Sequence, residues 1–524
     1  MITHTYDDFP YLCLIRPDIQ PRHLATLATL FNLHPPLLTT ARILELGCGN
    51  GINLLAIAQS WPQAHCLGID YSARQIAAGQ QIIKAVGLNN IVLKQLDIVD
   101  VDDSLGQFDY IIIHGVYSWV SSFVQKKLLS ICQHHLVSNG IAYISYNTYP
   151  GWYLNQIMRD MIQYYHFHQF EDNTIRPLET KQLLQAVIER NQSHQDAYTL
   201  LLQEQLTRLQ KPDGDNYLYH DLLEVENHPL YFYQFIEQAQ QYGLEYVTDV
   251  KFRDALSTGQ PLKFNLGGDW VTHEQYMDFF SNRKLRMTLL CHQDLAINRE
   301  LDPKLMSHFY VAAMPFLQTT HSSVEVNSLA TIYFQKSNSQ PIPINSSLIQ
   351  RALLHLIDIY PSNISFLDLV TYLHLQQDSA TFSTSALKAI LAKELLALFC
   401  QELISLDLHA TPLLPTTHSD YPTAIPFARW QAAQGQTTVV NSLGQLGQLD
   451  EFTSQLLPHL NGKNNRVALL KVMRTLVEQQ HVTVILDEQE VLCSQLTEPD
   501  LLEILNLYLD ETLQIIARYA LLVA

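Results

Sequence analysis

Residues 42–51 read Arg42-Ile-Leu-Glu45-Leu-Gly47-Cys-Gly49-Asn-Gly51, an apolar run carrying one acid and opening into three alternating glycines. The run predicts a strand, and Asn53 to Ser60 the helix after it. Glycine at the carboxyl end of a strand permits a tight turn and close approach of a ligand to the backbone. The helix that follows offers free N–H groups. A dinucleotide fingerprint would need G-x-G-x-x-G. Counted from Gly47, its third glycine would fall at position 52, which is Ile52. The spacing therefore opposes a nicotinamide-dinucleotide site.

Outward from this turn, short apolar runs alternate with amphipathic stretches. His65 to Asp70 predicts a second strand, then a helix capped by Ser72 and stopped by Gly87. Asn90–Leu96, Phe108–Ile113 and Gly140–Tyr146 predict three more strands, with a helix over Ser122–Val137 before the last. Strands separated by helix-length segments imply parallel β-α-β units, hence an α/β, Rossmann-like sheet with helices on both faces. From Trp152 to Tyr242 the pattern is helical. Leu244–Phe252 and Arg286–Cys291 then read as strands around a helix over Thr272–Arg283, and would return two strands to the same sheet. Beyond residue 300, helical segments at 347–359, 365–375, 385–404, 451–459, 465–480 and 497–522 suggest mostly helical, winged-helix-like modules. A turn-rich joint at Ser337–Ser346 and a Pro/Thr-rich loop at His409–Pro426 separate them. The expected division is a core over 1–151, a helical insertion and regulatory region over 152–299, and modules over 300–420 and 421–524.

The 524 residues carry 32 basic and 51 acidic side chains, a net charge of −19. That balance disfavours a nucleic-acid partner, which needs concentrated Lys and Arg. No signal-like start and no run of about 18 apolar residues is present, so no membrane span is expected. Seven widely spaced cysteines without C-x-x-C fit reduced thiols in a cytoplasmic protein, and no metal site is expected.

The pattern E-x-G-x-G-x-G resembles the S-adenosylmethionine site of class I methyltransferases. Such a ligand presents an amino-acid head group. Glu45 can accept from its ammonium, and the backbone of Gly47, Cys48, Gly49 and Gly51 can meet its carboxylate, with Asn53 adding a polar contact. Asp70, ending the second strand, can bridge two ribose hydroxyls. Ile69 and Tyr71 beside it can flank the adenine. Asp97, ending the third strand next to Ile98, can accept from the adenine amino group. The fourth strand runs into His114-Gly-Val-Tyr117-Ser-Trp119-Val120, where His114 is a candidate for both cofactor and acceptor. Tyr117, Trp119, Tyr146, Tyr149 and Trp152 suggest an aromatic wall that would attract an ammonium. His114 or a tyrosine hydroxyl could relay its proton.

Further motifs sharpen the resemblance. Tyr6-Asp-Asp-Phe-Pro-Tyr11, Glu45 to Asn53, Phe108 to Val120 and Ser145 to Trp152 together resemble the bacterial methyltransferases that carry a methyltransferase regulatory domain. Leu218-Tyr-His-Asp-Leu-Leu-Glu224, Glu274 to Phe279, Arg283, Arg286 to His292, Pro426 to Ala432, Asn441 and Leu460-Asn-Gly462 extend it over most of the chain. The family includes protein-lysine methyltransferases of outer-membrane proteins. The resemblance implies S-adenosylmethionine as cofactor, a protein acceptor, and lysine as the methylated residue. A homo-oligomer is compatible with it. A small-molecule acceptor and a non-catalytic cofactor-binding regulator are the rival readings. The family often has Thr-His-Pro where this chain has Ile19-Gln-Pro-Arg22, so closure of the cofactor pocket must be arranged otherwise.

Overall fold

The computed structural model describes residues 9–169, 176–191, 196–251, 268–315, 317–319, 331–336, 340–376, 383–412, 419–480, 483–486, 489–492 and 496–523. Tyr6–Asp8 of the first motif, Phe252, Ser337–Ser339, residues 413–418 of the Pro/Thr-rich loop and Cys493 lie outside them.

Helix α1, Pro21–Leu30, precedes a sheet of seven strands. These are β1 Arg42–Leu46, β2 His65–Asp70, β3 Ile91–Gln95, β4 Phe108–Ile113, β5 Leu136–Asn147, β6 Leu244–Asp249 and β7 Leu285–His292. Their order is β3-β2-β1-β4-β5-β7-β6, with β7 antiparallel to both neighbours. The last two strands therefore do rejoin the sheet. Tyr110 to Ile113 are wholly buried in β4, the continuous apolar run of a strand covered on both faces. Strand order reverses between β1 and β4, which is where an open α/β sheet leaves a crevice beyond its carboxyl edge.

Helix α2, Ile52–Ser60, starts directly from Gly51, whose φ is 69°. A Cβ there would come within 2.7 Å of Leu93, so the third glycine serves both backbone and packing. Helix α3, Ala73–Val86, is capped as expected: the Gln75 amide donates to Ser72 Oγ at 3.1 Å, and Gly87 ends it at φ 79°. Helix α4, Ser122–His135, stops two residues before the expected point. Leu136 pairs with Phe108 and begins β5, with an irregularity before Tyr110–Ile141.

The helical region divides in two. α5 Trp152–Gln169, α6 Pro177–Arg190, α7 Ala197–Leu209 and α8 Gly214–Tyr217 build a small core of their own around Met158, Ile162, Leu184, Leu202 and Leu218. α9, Phe232–Gln240, instead lays Phe232, Phe235 and Ile236 on the sheet beside Ile144 and Leu290. α10, Trp270–Ser281, leads into β7.

The second half also contains short strands. Tyr310–Ala313 lies between Ile364–Ser365 and Ile404–Asp407, and hairpins form at Thr438–Val440/Leu446–Gln448 and Thr483–Leu486/Gln489–Leu492. Segments of two to four residues carry too little alternation to be read from sequence. This half is not detached. One apolar cluster runs from Ile19 and Leu27 through Tyr143 to Leu406 and Phe427.

Candidate functional site

The crevice beyond the carboxyl edge is a cavity of about 440 Å³. The sheet side of its wall is Glu45, Gly47, Cys48, Gly49, Asn53, Asp70, Tyr71, Asp97 and Ile98, all expected from sequence. His114 and Trp119 line it as well. Gly51 does not. It stands behind the turn against Leu93.

Each polar group in this wall has a defined environment. Asp70 braces the turn: Oδ2 accepts from the Gly49 amide at 2.7 Å and Oδ1 from the Ser72 amide at 2.9 Å. Asp97 accepts from the Val99 amide at 3.1 Å, which fixes its carboxylate at the strand end. Glu45 is 5% exposed. Its Oε1 accepts from Asn53 Nδ2 at 3.0 Å, whereas Oε2 is buried with no partner among the described residues. Burial pushes Glu45 up to about 8, the hydrogen bond from Asn53 opposing and the charge of Asp70 adding to the rise. A buried carboxylate oxygen left open toward a cavity suits a ligand that brings a cation.

His114 Nδ1 lies 2.8 Å from Tyr143 Oη. Burial, helped by the charge of Arg16, pushes the imidazole down to about 3, so it is neutral at physiological pH and does not repel an approaching cation. Trp119 packs edge-on against Trp152 with ring centroids 5.9 Å apart, and the Arg159 guanidinium sits 5.8 Å over its ring.

The structure does not bring the whole aromatic set together. Tyr117 and Tyr146 point into the core, 0% and 1% exposed, and meet Phe235 of α9 at 5.3 and 4.0 Å. Tyr117 Oη donates to Gln238 at 2.7 Å. Tyr149 stacks on Tyr153 at 4.1 Å and lies outside the cavity lining. For Tyr117 and Tyr146 the reason is long-range, since Phe235 of α9 packs on both, while Tyr149 is held by Tyr153 and Tyr231.

Two wall segments were not read from sequence. Tyr11, Leu12, Cys13 and Arg16 cross the cavity from the N-terminal side. A Cβ on Gly49 would come within 2.3 Å of Cys13 Sγ, so the second glycine lets this segment lie against the turn. His220 and Asp221 come from the helical insertion. The Tyr6–Tyr11 and Leu218–Glu224 motifs were the available signals, but nothing local says that they meet. Their meeting is visible in Phe9 stacked on Tyr219 at 3.7 Å and Tyr11 edge-on to His220 at 5.1 Å.

Comparison with known proteins bears on the same site. Family models match residues 39–209 as a methyltransferase domain, 214–292 as a predicted methyltransferase regulatory domain, and 420–521 as the PKMT C-terminal winged helix domain. Uncharacterized protein RP789 of Rickettsia prowazekii is 32% identical over 495 residues, covering 93% of this chain and 88% of the relative. The structure of PKMT2 from Rickettsia typhi is similar with a TM-score of 0.84 at 30% identity, covering 98% of this chain and 100% of that one. PKMT2 has also been solved in complex with AdoHcy. Protein-lysine N-methyltransferase EFM4 of Saccharomyces cerevisiae is 32% identical over 82 residues, 16% of this chain and 36% of the relative.

A mixed sheet whose strand order reverses at β1 and β4, a glycine turn and an open buried carboxylate, joined to these likenesses, make the chain a class I S-adenosylmethionine-dependent methyltransferase. S-adenosylmethionine is its cofactor. It belongs to the bacterial methyltransferases that carry a methyltransferase regulatory domain and a PKMT-type C-terminal winged helix. No helix among the described residues is long and apolar enough to cross a membrane. Among the same residues no group of three His, Cys, Asp or Glu could hold a metal, and no disulfide joins the described cysteines.

Proposed function

We propose that the chain methylates the side-chain amine of lysine in a protein acceptor. The observation that carries this reading is the whole-length likeness to PKMT2, whose name we read as protein-lysine methyltransferase. The shorter likeness to the yeast lysine methyltransferase supports it. The division at residues 151, 299 and 420 is part of the proposal. The sheet with its returning strands would be the transferase, and the modules beyond 300 would hold the macromolecular acceptor.

In this reading Glu45 Oε2 takes the cofactor's ammonium, and the backbone from Gly47 to Gly49 meets its carboxylate. Asp70 takes the ribose hydroxyls, while Tyr71, Asp97 and Ile98 surround the adenine. Asn53 supports Glu45 from the same wall. The bound cofactor supplies a methyl group already activated by the sulfonium charge, so the residues around it chiefly orient the partners. Trp119 forms the acceptor wall, held by Arg159 and Trp152. Neutral His114 borders the same space.

The test is mass spectrometry of a bacterial lysate incubated with the enzyme and isotopically labelled S-adenosylmethionine. Label on lysine side chains of one or a few proteins is the expected result. Label confined to small molecules would overturn the acceptor class while leaving the transferase intact.

A further inference from the structure

The motif Leu218-Tyr-His-Asp-Leu-Leu-Glu224 lies outside the cofactor cradle, yet the fold carries it to the cavity. After α8 the chain makes a π turn over Leu218–Leu222. Such turns are rare and concentrate at functional sites. Here the turn places His220 and Asp221 in the cavity wall. It is anchored from behind: Arg159 donates to the backbone carbonyls of Asp221 and Glu224. The same guanidinium lies over Trp119, so the acid and the proposed acceptor ring share one support.

The Asp221 side chain itself is uncommitted. Arg159 gives Nη1 and Nη2 to backbone carbonyls, its Nε making no hydrogen bond among the described residues, and Arg208 is paired with both oxygens of Asp213 at 2.7 Å. His220 packs against Tyr11 and Phe9 of the N-terminal segment. Among the described residues no donor comes within hydrogen-bonding reach of the Asp221 carboxylate. It is a second open acid in the same cavity, on a different wall from Glu45.

We infer that Asp221 is the base that receives the acceptor amine, an inference resting on the lysine reading. The entering ammonium gives one proton from nitrogen to a carboxylate oxygen of Asp221. The lone pair left on nitrogen then forms the N–C bond as the cofactor's C–S bond breaks, and sulfur keeps the electron pair. The carboxylic acid afterwards returns its proton to water. The electrostatics suit the role. Burial pushes Asp221 up to about 6, Asp213 adds to the rise, and Arg208 and Arg159 oppose it. Tyr11 and Tyr217 also face it. Such a group is ionised at neutral pH. It is also a stronger base than an ordinary aspartate, toward an amine whose own pKa falls on desolvation beside a sulfonium.

The experiment compares full-length wild type with Asp221→Asn in single turnovers. Protein acceptor and S-adenosylmethionine are saturating, from pH 6 to pH 10. At pH 7 the variant should be at least tenfold slower. The deficit should narrow to less than threefold by pH 10, where hydroxide deprotonates the amine unaided. AdoHcy affinity by calorimetry should stay within twofold, showing a folded cofactor site. No deficit, or one constant across pH, would overturn the inference. Should the Asn variant fail to fold, Asp221→Glu decides instead. It should keep the wild-type rise with pH and lose severalfold in rate through displacement of the carboxylate. A wild-type rate there would overturn the inference. Failure of the lysine reading looks different: wild-type label would sit on oxygen, sulfur or carbon, no ammonium would need deprotonation, and the inference would fall with it.

Discussion

Asn53 joins Glu45, the acid proposed to take the cofactor's ammonium, to the N-terminal segment that lines the same cavity. Its Nδ2 donates to Glu45 Oε1 at 3.0 Å, while its Oδ1 accepts from the Arg16 amide at 3.1 Å and from Gln20 Nε2 at 3.2 Å. Gln20 stands where the family often has histidine, and here a glutamine and an asparagine tie that segment to Glu45. Asn53→Ala removes the donor to a buried carboxylate and loosens the segment. Cofactor affinity should fall by about 1–3 kcal/mol. Titration calorimetry with AdoHcy checks this, and an unchanged affinity would remove Asn53 from the cradle's support.

Glu45 gives a pH dependence with a definite sign. Its carboxyl is pushed up to about 8 in the folded protein, against about 4.3 in an unfolded chain. Between those values the folded state holds a proton that the unfolded state has lost, so this group lowers stability progressively as pH rises through that window. Ligand-free Glu45→Gln should therefore melt a few degrees above wild type (~1 kcal/mol or more) at pH 8.5 and show no advantage at pH 4. Scanning calorimetry at the two pH values checks it. Wild type should also release protons on binding AdoHcy at pH 7, because the ligand's ammonium restores the carboxylate. Equal proton release by Glu45→Gln would contradict the assignment.

Asp70 does two jobs that one substitution separates from Glu45. Asp70→Ala loses the brace on the Gly49 amide and the proposed ribose contacts, so AdoHcy affinity should drop by about 1.5–3 kcal/mol. Because Glu45 then lacks a negative neighbour, proton release on residual binding at pH 7 should shrink. Calorimetry in buffers of different ionisation enthalpy reads both effects.

The part of the cavity proposed to hold the cofactor was legible because its residues are placed locally: Glu45 to Asn53 runs from the end of β1 into α2, Asp70 ends β2, and Asp97 follows closely after β3. The part proposed to receive the acceptor was not, because its side chains are sorted by partners far away in the chain. Tyr117 and Trp119 are two residues apart on one short turn, yet Gln238, 121 residues downstream from Tyr117, fixes one inward while Arg159 and Trp152 fix the other at the cavity. Asp221 and Tyr11 meet the site only through tertiary folding. Arg286 is a further case. It is wholly buried between Asp278 at 2.8 Å and Glu274 at 2.8 Å, a network that the sequence showed only as scattered charges.

That sorting separates two neighbouring substitutions. Tyr117→Ala empties a core position and orphans Gln238, so it should cost about 3–5 kcal/mol of stability. Any loss of activity should track the loss of folded protein. Trp119→Ala removes a cavity wall, so it should lower kcat/KM for the acceptor at least tenfold while AdoHcy affinity changes little. Thermal melts beside steady-state kinetics distinguish them. A stable, inactive Tyr117→Ala would show that the tyrosine reaches the chemistry after all.

The C-terminal half bears on the fold as well as on the proposed acceptor. α1 is buried along nearly its whole length between the sheet and the Ile404–Asp407 strand. Thr26 Oγ1 donates to the Leu406 carbonyl at 3.2 Å, and Arg22 pairs with Asp407 at 2.9 Å. The Phe427 amide donates to Gln59 Oε1 of α2 at 3.1 Å, and a Cβ on Gly444 would lie 3.3 Å from Gln20 Oε1. A chain ending near Gln340 loses all of these partners. It exposes the apolar faces of α1 and α2, each fully buried aliphatic side chain there contributing about 1.5–3 kcal/mol when covered. Gln20 also holds Asn53, and through it Glu45, so the damage reaches the cradle. The truncated protein should therefore be aggregation-prone, and any soluble fraction should bind AdoHcy at least tenfold more weakly than the full chain. Expression of the two forms side by side, with calorimetry on the soluble material, is the measurement. A soluble truncation with full cofactor affinity would show that the sheet folds independently and would confine the C-terminal half to holding the acceptor.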